Sequence, residues 1–392
     1  MKVFHYFYNK KHVTTKHLLK GFNFMKISTS LLPFKIEKHP SPLSDENREE
    51  ILKNPGFGQF FTDHMCTIQW TEEKGWHNAV ISQHKALEIN PASTVLHYGQ
   101  EIFEGLKAYH AKDGRILLFR PEANAQRLIE SAKRLAMPEL PQGIFLEAVN
   151  QLVKIDQKWV SDLPNASLYI RPFMFGNEAF LGVRASQEYL FCIIASPVES
   201  YFKGEEKSIS VWIETDYSRA GPGGTGAAKC GGNYAASLLA QNSAAQNNCS
   251  QVLFLDMVEH KWIEELGGMN VFFIMANNTL VTPALNGTIL PGITRHSILQ
   301  LAQQMGLKIE ERPYSFESLK KDAQNGCLKE VFACGTAAVI TSIGRFKYKD
   351  GEFTIGNEII GEITKQFRTQ LVNLQKGNIE DKNGWVHSVP LS

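Results

Sequence analysis

None of the six cysteines stands at Cys-x-x-Cys spacing from another, and none has a histidine nearby at metal-ligand spacing. That argues against structural zinc and against a disulfide framework, and it fits a reducing cytoplasm. Apolar runs long enough to span a bilayer are missing too; residues 271–275 have only the length of a core strand. Net charge is also missing, because 41 Lys and Arg against 40 Asp and Glu leave +1. A near-neutral chain has no general electrostatic footprint for nucleic acid or an anionic membrane. Any bound anion must therefore be held by a local site. No P-loop occurs, since Lys229 is followed by Cys230, and no G-x-G-x-x-G stands in a strand–helix context. Internal repeats and low-complexity tracts are lacking as well.

What remains is a globular composition, with 43% hydrophobic and 21% charged residues. At 392 residues the chain is too long for one ordinary core, so two domains are expected. The reading divides it into an extension and lead-in (1–55), a small N-terminal domain (56–200), a connector (201–208) and a larger C-terminal domain (209–392). Residues 1–30 carry Lys and His but no acid and no Arg, and Met25 offers a second start. An upstream start codon is the favoured explanation, with a targeting signal as the alternative. Helical periodicity is expected over residues 123–135, 144–159, 234–247, 292–305 and 357–374. Strands are expected over 65–70, 167–175, 189–195, 208–214, 251–257, 269–276, 279–282 and 330–333. Without regular βαβ alternation, the pattern reads as α+β.

One lysine is unusual. Lys229 lies in Gly221-Pro222-Gly223-Gly224-Thr225-Gly226-Ala227-Ala228-Lys229-Cys230-Gly231-Gly232-Asn233-Tyr234, where almost nothing else has bulk. Small neighbours let the backbone fold tightly and let a flat molecule approach the amine. A lysine so placed is a candidate imine-forming nucleophile; the plain alternative is a flexible loop with an incidental lysine. Two features suit a phosphate. Gly292-Ile293-Thr294 opens a helix after Pro291, with free N–H groups and a hydroxyl, and Gly335-Thr336-Ala337 bends away from a strand. Glu264-Glu265 precedes a Gly267-Gly268 turn. It is either a polar strand end or a carboxylate aimed at a cofactor's ring nitrogen.

In order and spacing, these segments resemble the branched-chain amino acid aminotransferases, pyridoxal 5'-phosphate enzymes of fold type IV. The likeness rests on Lys229-Cys230-Gly231-Gly232-Asn233-Tyr234, the Glu265 segment, Leu290-Pro291-Gly292-Ile293-Thr294-Arg295 and Phe332-Ala333-Cys334-Gly335-Thr336-Ala337. The N-terminal half adds residues 57–65, His97-Tyr98-Gly99-Gln100-Glu101-Ile102-Phe103-Glu104-Gly105, Phe119-Arg120-Pro121 with Gln126-Arg127-Leu128, and Leu168-Tyr169-Ile170-Arg171-Pro172. The similarity runs from about Phe57 to the C-terminus.

The resemblance implies a smaller N-terminal α/β domain and a larger C-terminal domain with a barrel-like β core. It implies Lys229 as the cofactor's tether and proton shuttle, Glu265 on the pyridine nitrogen and Tyr234 near O3′. Arg127, Ile293, Thr294 and Thr336 are implied as phosphate holders. Phe57, Phe103, Tyr169 and Tyr201 would form the apolar wall, with Tyr98, Arg171 and the Thr336-Ala337 turn around substrate carboxylate. Leu181 and Val183 would reach the partner's site in a cytoplasmic homodimer. The implied reaction exchanges the amino group of leucine, isoleucine or valine with 2-oxoglutarate. One departure stands out. Where mammalian members carry a Cys-x-x-Cys pair after the Gly-Thr-Ala turn, this chain has Ala338 and Thr341, which leaves no such thiol switch. D-amino acid aminotransferase and aminodeoxychorismate lyase share the lysine and the glutamate and stay open as rivals. A non-catalytic binder of the same cofactor, or of a sugar phosphate, is the rival from a different class.

Overall fold

The two longest β-rich stretches of the chain build two separate sheets rather than one. The computed structural model describes residues 32–199 and 208–391, all within one unit. The first sheet has nine strands. Its central members are His64–Thr71, Glu188–Val198, Ser167–Gly176 and Leu106–His110, paired antiparallel. Apolar residues alternate along them and face the helices Pro121–Arg134 and Gln142–Ile155. In the first helix, Pro121 opens the element with its pre-set φ, and Ala125, Leu128 and Ala132 bury one stripe.

The second sheet also has nine strands. It runs from Ile263–Leu266 through Gln251–Leu255, Ile209–Glu214, Val339–Tyr348 and Leu328–Gly335 to Asn270–Met275 and beyond. Its first and sixth strands are joined by the Gly267-Gly268 turn, where Leu266 N–H donates to the Met269 carbonyl at 2.9 Å. The sheet therefore curls back on itself, as a barrel-like core requires. The chain is α+β, as its irregular order of elements led us to expect. Near its end it returns to the first sheet, where Val386–Ser388 pairs with Ile116–Phe119. The Phe119 and Trp385 rings meet there at 5.7 Å in a core that both sheets share.

Two helices differ from the sequence expectation. The helix expected over 234–247 starts at Gly231 and breaks into Gly231–Ala235 and Leu238–Gln246. The Ser237 hydroxyl donates to the Tyr234 carbonyl at 2.7 Å, offering the backbone a local alternative to the helical ladder. The last helix begins at Glu362, not 357, because Asn357 adopts a left-handed φ of 54° and interrupts the turn.

Candidate active site

Lys229 points into a cleft because its neighbours point the other way. Ala228 and Cys230 are both buried in the core of the first sheet. Lys229, between them, lines the cleft instead. Its backbone is clamped twice: Lys229 N–H donates to Ser131 Oγ at 2.9 Å, and its carbonyl accepts from Phe103 N–H at 3.0 Å. Its Nζ donates to the Tyr234 hydroxyl at 2.7 Å and lies 4.4 Å from the centre of the Phe103 ring.

The glycines around it are not there to make room for a ligand, contrary to expectation. A Cβ on Gly226 would fall 2.2 Å from the Thr288 carbonyl oxygen, so this glycine lets two backbone segments touch. None of residues 221–226 lines the cleft. The glycine-rich run is a packing device behind the lysine.

The helix Pro121–Arg134 supplies one wall. Asn124, Arg127, Ser131 and Arg134 recur at spacings of three and four, so they share one stripe. Arg134 donates to the carbonyls of Gly223 and Gly224 at 3.0 and 3.1 Å, and Ser131 holds Lys229. Arg127 makes a two-pronged pair with Glu104, at 2.7 and 2.9 Å, and reaches the Pro291 carbonyl at 3.2 Å. Glu104 is fully buried and also accepts from Asn124 Nδ2 at 2.7 Å. Burial pushes its pKa up, but Arg127, Lys229 and Asn124 outweigh burial and hold it below the ordinary carboxylate value. Beside Arg127 begins the helix Ile293–Gln304, with Gly292 at its N-cap and no side chain capping it. Its first N–H groups carry no side-chain cap, a chemistry that suits an anion, and Thr294 is buried beside them.

The opposite end of the cleft carries Glu265, on the strand Ile263–Leu266. Arg219 pairs with it at 2.9 Å, and Leu290 N–H donates to it at 2.8 Å. Both side chains of the pair are almost wholly buried. Burial pushes Glu265 up to about 7 against the pull of Arg219. Glu264 faces the other side of the strand, where the Thr288 hydroxyl donates to it.

Between these ends lies a cavity of about 610 Å³. Arg127, Ile293, Thr294, Thr336, Glu265, Lys229 and Tyr234 all line it, and the Lys229 charge acts on both Glu104 and Glu265. Phe57, Phe103, Tyr169, Arg171 and Ala337 complete the wall. The Phe57 and Tyr169 rings stand 5.3 Å apart, edge to face. The Arg171 guanidinium lies 4.9 Å from the Phe103 ring and 5.3 Å from that of Tyr169, and it donates to the Tyr169 hydroxyl at 3.2 Å. Its Nε is buried with no partner among the described residues.

Three expected residues are not brought to this cleft. Tyr98, expected near the substrate carboxylate, is exposed, and its hydroxyl donates to the Leu181 carbonyl. Leu181 and Val183, expected to serve a partner subunit, are 61% and 86% exposed. The structure thus joins Tyr98 to Leu181, not to Arg171. Tyr201, like most of the connector expected at 201–208, lies outside the described residues. Sequence reasoning also missed three charges that support the site: Glu104, Arg219 and Lys107. Glu104 had a usable signal, an acid inside the segment 102–109, where Lys107 is the one other charge. Arg219 had only its nearness to the glycine run.

The profile of the class IV amino-transferases matches residues 101–346. A relative from Mycolicibacterium smegmatis, named branched-chain-amino-acid aminotransferase, is 52% identical over 91% of this chain and 98% of its own length. The crystal structure of the Escherichia coli branched-chain amino acid aminotransferase is similar at a TM-score of 0.68 and 29% identity, over 82% of this chain and 99% of that one. The structure of the Thermobaculum terrenum branched-chain amino acid aminotransferase, in its PLP form, aligns at a TM-score of 0.66 and 25% identity, over 82% and 98% of the two chains.

Proposed function

The chain belongs to the class IV aminotransferases, and we propose that it exchanges the amino group of L-leucine, L-isoleucine or L-valine with 2-oxoglutarate, using pyridoxal 5'-phosphate. The observation that carries this reading is the polarity of the cleft: cation and free N–H groups at one end, a carboxylate at the other, and one lysine between them. A flat cofactor with a phosphate on one side and a ring nitrogen on the other fits that sequence of charges. Its phosphate would be held by Arg127, by the N–H groups of Ile293 and Thr294 with the Thr294 hydroxyl, and by Thr336. Glu265 would face the ring nitrogen, and Tyr234 the ring oxygen. When bound, the cofactor supplies an electron sink for the charge left at the substrate Cα.

The chain's own residues supply the rest. Lys229 tethers the cofactor and carries the proton from the substrate Cα. Tyr234 and Phe103 hold its Nζ in place, since the hydroxyl bond and the ring face both fix its position. Glu265 keeps a proton on the ring nitrogen, and Arg219 behind it favours the charged carboxylate that this requires. Phe57, Phe103 and Tyr169 exclude water and give a branched side chain an apolar wall. Arg171 stands at that wall with hydrogen-bonding capacity to spare, and would receive the second carboxylate of 2-oxoglutarate or glutamate. The substrate's own carboxylate would lie at the Thr336-Ala337 turn.

The exposed cluster of Tyr98, Leu181 and Val183 supports a homodimer in which it completes the partner's cleft. Tyr201 in the 201–208 connector would close the wall from the chain's own side. None of the described helices is long and apolar enough to cross a membrane, and the cytoplasm is the proposed location. A panel of L- and D-amino acids offered with 2-oxoglutarate tests the assignment. We expect glutamate from L-leucine, L-isoleucine and L-valine. A preference for D-alanine, or release of pyruvate from aminodeoxychorismate, would replace it with one of the two rivals.

A further inference from the structure

Lys107 is a buried lysine for which the proposed reaction has given no role. It lies on the strand Leu106–His110, only 6% exposed. Register pairs it with Tyr169 on the neighbouring strand, so both side chains leave the sheet on the same face. Tyr169 lines the cleft. Lys107 is not among its lining residues and donates from Nζ to the Ala337 carbonyl at 2.9 Å. Placing an ammonium away from water is costly unless its charge is put to use.

The acceptor is part of the tight turn at the end of the cleft. Gly335 and Val339 are its last paired residues, so residues 336–338 stand outside the strand ladder. Val339 holds a left-handed φ of 60°, which a β-branched residue avoids unless its surroundings impose it. The peptide units are trans, so the Ala337 carbonyl and the Ala338 N–H point in opposite directions. Drawing the carbonyl toward Lys107 turns that N–H to the side where Thr336, Ala337 and Ala338 line the cavity. Consecutive N–H groups in such a bend form an anion-binding concavity. A cation bonded to the carbonyl polarises the same peptide and strengthens its N–H as a donor.

We infer that Lys107 is a positioning residue for the substrate's α-carboxylate: through the Ala337 carbonyl it fixes the turn's N–H groups and lends them positive charge. This rests on the proposed carboxylate site at that turn. It also gives the two carboxylates of glutamate separate sources of positive charge, Arg171 at the side-chain wall and Lys107 behind the turn.

The test uses the holoenzyme and two halves of leucine. Binding of 4-methylpentanoate, which keeps the carboxylate and lacks the amine, is measured by calorimetry. Amino transfer from 3-methylbutylamine, which lacks the carboxylate, is measured alongside transfer from leucine. Lys107→Met is expected to weaken 4-methylpentanoate by about tenfold or more and to raise the KM for leucine by a similar factor, while kcat stays within about threefold. Transfer from the amine should change by less than about twofold, and Lys107→Arg should restore most of the loss. If Lys107→Met does not fold, the same ratio is read with Lys107→Gln, which keeps a donor and removes the charge. Equal losses for the acid and the amine, or no loss for the acid, would overturn the inference. Wild-type protein that neither binds the acid nor transfers from leucine would instead refute the transaminase reading itself.

Discussion

The two ends of the cleft use the same buried pair in opposite orientations. At one end Arg127 faces the cavity and Glu104 stands behind it; at the other Glu265 faces the cavity and Arg219 stands behind it. The backing residue sets what the front residue can do. Glu104 receives two prongs from Arg127 and a further bond from Asn124, and it stays below its ordinary pKa. A firmly charged acid keeps the arginine in one orientation, which suits a permanent anion site. Glu265 is buried as completely but has only one short contact with Arg219 beside the Leu290 N–H bond, and burial pushes its pKa up to about 7. A carboxylate whose pKa is raised to about 7 can share a proton with a ring nitrogen. Pairing alone thus does not set the function of a buried acid; how far charged and polar donors offset its burial does.

Among the four charged residues of the two pairs, substituting the front acid is expected to have the largest effect. Glu265→Gln should leave the phosphate end intact and slow amino transfer by on the order of 100-fold or more, because the ring nitrogen loses its charged partner. Retained cofactor absorbance together with a collapsed kcat is the signature to look for, and unchanged kcat would remove Glu265 from the mechanism. Glu104→Ala comes next. It strands a buried guanidinium and should cost about 3–5 kcal/mol of stability by denaturant unfolding. It should also weaken cofactor binding. A variant that melts like the parent would show that Arg127 does not need its backing acid.

pH separates the ends further. In cofactor-free protein the pKa of Glu265 is raised when folded, so the folded state binds an extra proton between the ordinary carboxylate range and about 7. Its contribution is therefore present at low pH and lost as pH rises through about 7, by at most about 3 kcal/mol. Glu104, with a lowered pKa, contributes in the opposite sense and loses its share as the pH falls through its folded value. Melting Glu265→Gln across pH 5–8 should show a flatter decline than the parent. A slope identical to the parent's would place the titration elsewhere. The smallest effect is the coupling between the ends. The two pairs share no hydrogen-bond partner, though the Lys229 charge acts on both acids, so Glu104→Ala and Arg219→Met should add to within about 1 kcal/mol. A larger deviation in the double variant would mean that the two ends communicate.

Lys229, Glu265, Arg127 and the Gly292-Ile293-Thr294 helix start were legible in the chain because each sits in a short motif whose chemistry is local. The strands were legible for the same reason, since alternation needs only a few residues; Thr279–Thr282 falls where it was expected. Lys107 was not legible, because its partner lies 230 residues away and nothing near it signals the contact. Arg219 was equally hidden, since it lies outside any strand and its counter-charge comes from the strand Ile263–Leu266. The glycines misled for a physical reason. Small residues permit close approach, but sequence does not say by what, and at Gly226 it is the backbone of Thr288. Tyr98 shows the same limit: its motif was recognised, but the face on which it emerges was not.

The central claim is that one amine, held between a cation-bearing end and an acid-bearing end, carries out amino transfer. The most direct measurement is glutamate formation from L-leucine and 2-oxoglutarate by the parent protein and by Lys229→Ala, each saturated with pyridoxal 5'-phosphate. The account predicts steady turnover by the parent and none above background by the variant. Normal turnover by Lys229→Ala would contradict it.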